Sequence, residues 1–273
     1  MSLAETGGLV LVGAGRMGGA MLDAWLDAGL PGEKVSVFDP GLPGERRAEL
    51  QDRGVVFAEK ATDLAEAPRV VVIAVKPQQM DTVLPALAGL AGSGTLFLSV
   101  AAGIRLERLG RGLGASAPIV RVMPNTPSQV GAGMAVAVGN ASVTDEDRAL
   151  VEEMMLATGE IAWAEDEGLM DAVTALSGSG PAYVFHLVEA MAAAGESAGL
   201  PPELAARLAR QTVIGGGALL AASQLSASKL RENVTSPGGT TQAALEVLMG
   251  EGGMPDLLRR AVAAAKKRSE ELG

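Results

Sequence analysis

Uninterrupted apolar runs recur through the first half of the chain: GLVLVG (Gly8 to Gly13), KVSVFD (Lys34 to Asp39), RVVVIAV (Arg69 to Val75), TLFLSVA (Thr95 to Ala101) and PIVRVMP (Pro118 to Pro124). Apolarity without alternation is what a strand covered on both faces requires. Between the first two runs, Met17, Met21, Leu22, Trp25 and Leu26 repeat at helical spacing. Strand alternating with helix predicts a parallel sheet with helices on both sides. Two further runs, MAVAVGN (Met134 to Asn140) and EIAWA (Glu160 to Ala164), extend the edge of that sheet. After Gly168 the pattern changes: Ala, Leu, Met and Glu dominate and no strand is expected through to Gly273. Helices are expected over Leu169 to Leu176, Pro181 to Ala198, Pro202 to Gln224, Thr240 to Met249 and Pro255 to Leu272. Pro181, Pro202 and Pro255 suit a first helical turn, where a missing amide hydrogen leaves no bond unmade. The expected organisation is therefore an α/β domain over 1–165 and an all-α domain over 166–273.

Composition narrows the chemistry. With 48% hydrophobic and 20% charged residues, the chain of 273 can bury a substantial core. A formal charge of −10 argues against a nucleic-acid partner, which needs clustered Lys and Arg. Cysteine is absent, which excludes disulfides, thiolate metal ligands and cysteine nucleophiles. His186 is the sole histidine, so a catalytic zinc is not expected and no metal is assigned. Polar residues interrupt each Ala-rich stretch before about 18 apolar residues accumulate, so no membrane span is expected. The opening lacks a basic segment followed by an apolar run, and a cytoplasmic location is expected.

The first run leads into VLVGAGRMGGAM, where Gly13, Gly15 and Gly18 form GxGxxG between a strand and a helix. A tight turn at Gly13, close backbone approach at Gly15 and helix packing at Gly18 aim amides at a pyrophosphate, which marks a Rossmann-type dinucleotide-binding domain. Val12, Gly13, Ala14, Gly15, Arg16, Met17 and Gly18 are the expected contacts. Asp39 ends the next run at the position of a ribose-binding carboxylate, which favours NAD(H). Arg46 and Arg47 follow and suit a 2′-phosphate if their loop folds back, or a solvated helix start if it does not. The cofactor is thus NAD(H) or NADP(H). Ala74, Val75, Lys76 and Pro77, together with Ala101 and Ala102, sit at the carboxyl ends of strands, where ligands of open parallel sheets collect.

RVMPNTP (Arg121 to Pro127), ALSGSGPAY (Ala175 to Tyr183) and LRENVTSPGGTTQAALEVL (Leu230 to Leu248) complete a set that resembles the pyrroline-5-carboxylate reductases, from Gly13 to about Leu258. The resemblance implies a nucleotide domain joined to an all-helical dimerisation domain, with a homodimer or a decamer of dimers as the assembly. It also implies hydride transfer from NAD(P)H to the cyclic imine 1-pyrroline-5-carboxylate, giving proline. On spacing alone, SPGGTT (Ser236 to Thr241) reads as a capped helix start after a glycine turn, or as a nest of amides for an anion. The resemblance assigns Ser236, Gly238, Gly239, Thr240 and Thr241 to the substrate carboxylate. It makes the Thr241 hydroxyl the catalytic-site partner of the ring nitrogen, and it brings Asn125, with Met123, to the nicotinamide. The expected free amides are those of Gly239, Thr240 and Thr241.

Other readings follow from the same residues. His186, one turn after Tyr183 and one turn before Glu189, reads as a packed core residue, and Ser177 to Gly180 as a close helix contact or a cofactor edge, with packing favoured. A β-hydroxyacid dehydrogenase is the nearest alternative, but the position of its proton-carrying lysine is Val184 here, and no lysine lies between Lys76 and Lys229. A nucleotide-binding regulator without turnover is the alternative from another class. Two departures from the resemblance stand out. Ala61 replaces a customary polar amide on the adenosine side, and Gln224 a customary carboxylate. IGGGALLAA (Ile214 to Ala222) adds to apolar faces that suggest subunit packing.

Overall fold

The computed structural model describes residues 3–59, 68–91 and 94–272; Ala61 lies outside them. The chain divides into two compact units, one of Met1–Gly178 with Lys266–Gly273, the other of Ser179–Ala265.

The first unit is built on one sheet. Its described strands are β1 (Leu9–Val12), β2 (Val35–Phe38), β3 (Val56–Phe57), β4 (Val70–Ile73), β5 (Leu96–Ser99), β6 (Ile119–Met123), β7 (Gly133–Gly139) and β8 (Gly159–Trp163). They are ordered β3-β2-β1-β4-β5-β6-β7-β8. The first six strands are parallel, with Leu9 opposite Val35 on one side and Val70 on the other. The order reverses direction between β1 and β4, which opens the crevice where open α/β sheets bind ligands. β7 runs antiparallel to β6, because the short link between them is no crossover, and β8 returns parallel to β7. The apolar runs fail to mark β3, whose two residues carry no pattern of their own.

Strand alternation divides the core between the two faces. Leu9 and Leu11 face Trp25 and Met154, while Val10 and Val12 face Met80 and Leu109. Helices α1 (Arg16–Asp27), α2 (Gly44–Asp52), α3 (Met80–Leu87), α4 (Leu106–Leu113) and α5 (Asp145–Leu156) supply the covering layers. Trp25, fully buried, donates its Nε1 hydrogen to the Met154 carbonyl at 2.8 Å, satisfying its one polar atom and tying α1 to α5. A reciprocal cap starts α5: the Thr144 amide and hydroxyl donate to Asp147 at 3.0 and 2.8 Å, and the Asp147 amide donates back to the hydroxyl. Arg69 donates to the same carboxylate at 2.8 Å. Burial opposes the charge on Asp147, but Thr144 and then Arg69 outweigh it and hold the carboxyl below its ordinary range.

The sequence places a domain boundary near Glu165, whereas the compact units divide at Gly178. The intervening segment is pinned to the sheet. Arg121, buried within β6, donates to Glu167 Oε1 at 3.0 Å, and the Leu106 amide donates to the same oxygen at 2.8 Å. Where one helix was expected over Leu169 to Leu176, a short α6 (Met170–Val173) opens into a wider π turn at Thr174–Gly178. The chain's end also belongs to this unit, with the Ser269 hydroxyl donating to Asp171 at 2.6 Å.

The second unit is helical: α7 (Gly180–Ser197), α8 (Pro202–Ala222), α9 (Ala227–Asn233), α10 (Thr240–Leu248) and most of α11 (Met254–Leu272). Pro181 and Pro202 occupy first turns. α9 was not expected; its cap is Ser226, whose hydroxyl accepts from the Lys229 amide at 3.2 Å. α8 stops two residues short of Gln224, which is exposed. Among the described residues of this unit only Ala205 and Ala209 are buried, and Phe185 is 64% and Ile214 53% exposed. His186 is exposed and pairs with Glu189 at 3.0 Å, so it is no core residue of the single chain. Helices this apolar with so little buried require a second surface to cover them.

Candidate functional sites

The glycine-rich loop closes β1. Gly13 has φ +91°, a conformation that favours glycine, and its amide donates to the Phe38 carbonyl at 3.0 Å. A Cβ there would meet the Ala74 carbonyl oxygen at 2.8 Å. At Gly18 a Cβ would collide with the Gly13 carbonyl oxygen and stand 2.9 Å from the Ala74 methyl. Gly15 is different: a Cβ would meet nothing within 4 Å, so its missing side chain leaves room outside the protein. Gly15 also caps α1, whose first amides have no side-chain acceptor. A cradle that a methyl group would fill, at the positive end of a helix dipole, fits a pyrophosphate.

Two recesses meet at this loop and share Gly15, Ala74, Val75 and Lys76. One, of about 610 Å³, is lined by Val12, Gly13, Phe38, Asp39 and Thr82 among others. The other, of about 590 Å³, takes in Arg16, Met17, Pro77, Ala101 and Ala102. The expected contacts thus converge, with three exceptions. Ala14 and Gly18 lie behind the recess; the Ala14 amide donates to Asp39 Oδ2 at 2.8 Å, and Gly18 serves helix packing. Asn125 is engaged within the unit: its Nδ2 donates to the Ser177 hydroxyl at 3.2 Å, and its Oδ1 accepts from the Met134 amide at 2.9 Å. Met123 packs on Gly178, where a Cβ would strike its methyl group.

Of the two arginines weighed for a 2′-phosphate, Arg46 is held by carboxylates and Arg47 makes only a ring contact. Arg46 reaches both oxygens of Asp23 at 2.6 Å and Glu49 at 2.8 Å. The Asp23 hydrogen bond, against some desolvation, holds its guanidinium above the ordinary range. Arg47 lies over the Phe57 ring, 4.8 Å from the centroid. A separate cleft of about 660 Å³ along the outer face of α1 is lined by Arg46, Asp23 and Asp27. Ion pairs engage those three side chains, whereas Arg16, which lines the same cleft, makes no ion pair among the described residues.

In the helical unit, Gly238 has φ +70° and Gly239 caps α10 without a side-chain bond. The Gly239 amide, expected to be free, donates to the Ser236 carbonyl at 3.0 Å and closes the turn. The Gly238 amide donates to Gln242 Oε1 at 2.7 Å. Gln242 was missed by the sequence reading, although a glutamine in a first helical turn is placed to reach back over the cap. Among the described residues, the Thr240 and Thr241 amides and the Ser236 and Thr241 hydroxyls have no protein partner; Ser236 and Thr240 are exposed and Thr241 half-buried. Of the nearby cations, Lys229 pairs with Glu232 at 3.2 Å, while Arg231 makes no ion pair among the described residues and touches the neutral Met249 sulfur at 2.7 Å.

A Rossmann sheet with an intact dinucleotide loop, followed by a helical unit, defines an NAD(P)H-dependent oxidoreductase. The family description "NADP oxidoreductase coenzyme F420-dependent" matches residues 9–103, and "Pyrroline-5-carboxylate reductase dimerisation" matches residues 167–272. The pyrroline-5-carboxylate reductase of Pseudomonas aeruginosa is 39% identical over 97% of this chain and 96% of its own. The solved structure of the Coxiella burnetii pyrroline-5-carboxylate reductase superposes with a TM-score of 0.92 at 34% identity, covering 98% of this chain and 99% of that one. The Plasmodium falciparum pyrroline carboxylate reductase, solved with NADP bound, gives 0.82 at 30% identity, with 97% and 98% covered. The chain belongs to the pyrroline-5-carboxylate reductase family. No helix among the described residues is long and apolar enough to cross a membrane.

Proposed function

We propose that the protein reduces 1-pyrroline-5-carboxylate to proline with NAD(P)H, in the cytoplasm, as the last step of proline biosynthesis. The observation that carries this reading is the free amide pair at Thr240 and Thr241, flanked by the Ser236 and Thr241 hydroxyls. Such a receptor suits a small carboxylate: amides at a helix start hold an anion without a neutralising side chain. When bound, the dinucleotide supplies the hydride; the chain supplies position and exclusion of water. Gly15, Arg16 and Met17 hold the pyrophosphate, and Val12, Gly13, Asp39, Ala74, Val75, Lys76, Pro77, Ala101 and Ala102 line the rest of the dinucleotide. Ser236, Gly238, Gly239, Thr240 and Thr241 form the substrate receptor, in which the two glycines shape the turn. The Thr241 hydroxyl orients the ring nitrogen, whose proton makes the adjoining imine carbon electrophilic, so that no strong general acid is needed.

In functional terms residues 1–165 bind the nucleotide and 166–273 bind substrate and form the subunit contact. The apolar faces of α7 and α8 are buried in a homodimer, the building block of any larger ring. The test is consumption of NAD(P)H with 1-pyrroline-5-carboxylate, repeated for Thr241→Val. Loss of about tenfold or more in kcat/KM with unchanged nucleotide affinity is expected. Equal loss of both, or no turnover of the imine by the unaltered protein, refutes the assignment.

A further inference from the structure

The cofactor's identity follows from the charges around Asp39. This residue immediately follows β2, on the side of β1 that takes the adenosine half of a dinucleotide in this fold. Its carboxylate is held from two directions: Oδ2 accepts from the Ala14 amide at 2.8 Å and Oδ1 from the Gly41 amide at 2.9 Å. One of these bonds comes from the glycine-rich loop itself, so the carboxylate cannot swing aside without releasing that loop. Each oxygen retains a further lone pair, and Asp39 lines the recess beside Gly13 and Gly15. Those lone pairs match the two hydroxyls of an unmodified ribose. A 2′-phosphate would bring a second anion against a fixed one.

A site for a 2′-phosphate needs cations beside Asp39; Arg16 makes no ion pair among the described residues but lines the other recess, not the one that holds Asp39. Arg46 is bound to Asp23 and Glu49 and lines the cleft on the outer face of α1. Arg53 is bound to Asp23 and Asp27 at 3.3 and 2.5 Å. Arg47 lies on Phe57. Lys76 is the one cation among the described residues lining this recess, and it also lines the second recess with Ala101 and Ala102, on the opposite side of the loop from β2. We infer that this protein selects NADH over NADPH, with Asp39 as the specificity-determining residue.

The inference rests on the dinucleotide reading and deepens it, so the test separates the two. Binding of NADH and of NADPH is titrated by fluorescence on the unaltered protein and on Asp39→Ser, Asp39→Asn and Arg46→Ala. Kcat/KM with each dinucleotide is measured alongside. NADH is expected to bind at least about tenfold more tightly, a difference of about 1.4 kcal/mol. Asp39→Ser and Asp39→Asn shift the ratio toward NADPH. The asparagine keeps an acceptor of the same shape, so it reports on charge even if serine loosens the loop. Arg46→Ala leaves the ratio unchanged. Preference for NADPH, an unmoved ratio in both Asp39 variants, or loss of NADPH affinity alone in Arg46→Ala overturns the assignment. Failure of either dinucleotide to bind refutes the nucleotide site and this inference with it.

Discussion

Gly15 and Gly18 stand three residues apart in one motif, yet the same added methyl group should damage different properties. At Gly15 a Cβ meets no protein atom within 4 Å, and φ is −68°, open to any residue. In Gly15→Ala the smaller entropy of the unfolded chain contributes about 0.4–1 kcal/mol of stability. Replacing a glycine cap by alanine costs a similar amount, on the order of 0.5–1 kcal/mol. The ligand-free protein should therefore melt within about 2 °C of the parent. The methyl group nevertheless occupies the pyrophosphate cradle, and dinucleotide affinity should fall by about tenfold or more. At Gly18 the methyl group collides with the Gly13 carbonyl oxygen and crowds Ala74, both backbone or short groups that cannot rotate away. Overpacking of this kind costs about 1–3 kcal/mol. For a unit of this size each kcal/mol lowers Tm by about 2–4 °C, so Gly18→Ala should melt about 5 °C lower without ligand. Thermal denaturation by circular dichroism and nucleotide titration by fluorescence give the two readouts on each variant. Equal losses of Tm in both variants, or full dinucleotide affinity in Gly15→Ala, would refute the division between cradle and packing.

Phe185→Glu or Leu208→Glu places a charge on an apolar helix face, and sedimentation equilibrium should show smaller species with reduced helicity. An unchanged mass would remove that face from the subunit contact. Asp147 is held below its ordinary carboxyl range, so its stabilisation is present above the unfolded value of about 3.9 and is lost as pH falls through the lower folded one. Asp147→Asn should be less stable at neutral pH and lose less on acidification below about pH 4; parallel acid melts in both proteins would contradict this. Asn125→Ala orphans the Met134 amide and releases Ser177, and should cost about 1–3 kcal/mol of stability while nucleotide affinity holds. Lost affinity with unaltered Tm would instead make Asn125 a direct cofactor contact.

Much of the architecture is visible in linear order. Continuous Val and Leu runs mark buried strands because both faces of the sheet are covered, and the glycine spacing after the first run marks the loop that follows it. Prolines at 181 and 202 mark helix starts because the first turn has no use for their missing hydrogens. β3 and α9 escaped notice because a two-residue strand and a seven-residue helix are too short to display a period. The division at Gly178 was also hidden, since it depends on Arg121 meeting Glu167 and Asn125 meeting Ser177 across long stretches of chain. SPGGTT signals a turn before a helix, but only the folded turn shows that Ser236 and Gln242 consume the glycine amides and leave those of the threonines.

The sequence by itself determined the longer strands and helices, the dinucleotide loop and the family, because each is written in local periodicity or in the spacing of neighbouring residues. Tertiary structure alone decided which polar groups remain open to a ligand. Asp39, Arg46, Arg47 and Asn125 are all chemically eligible as written, and a hydrogen bond's partner is set by distances between segments that only folding brings together.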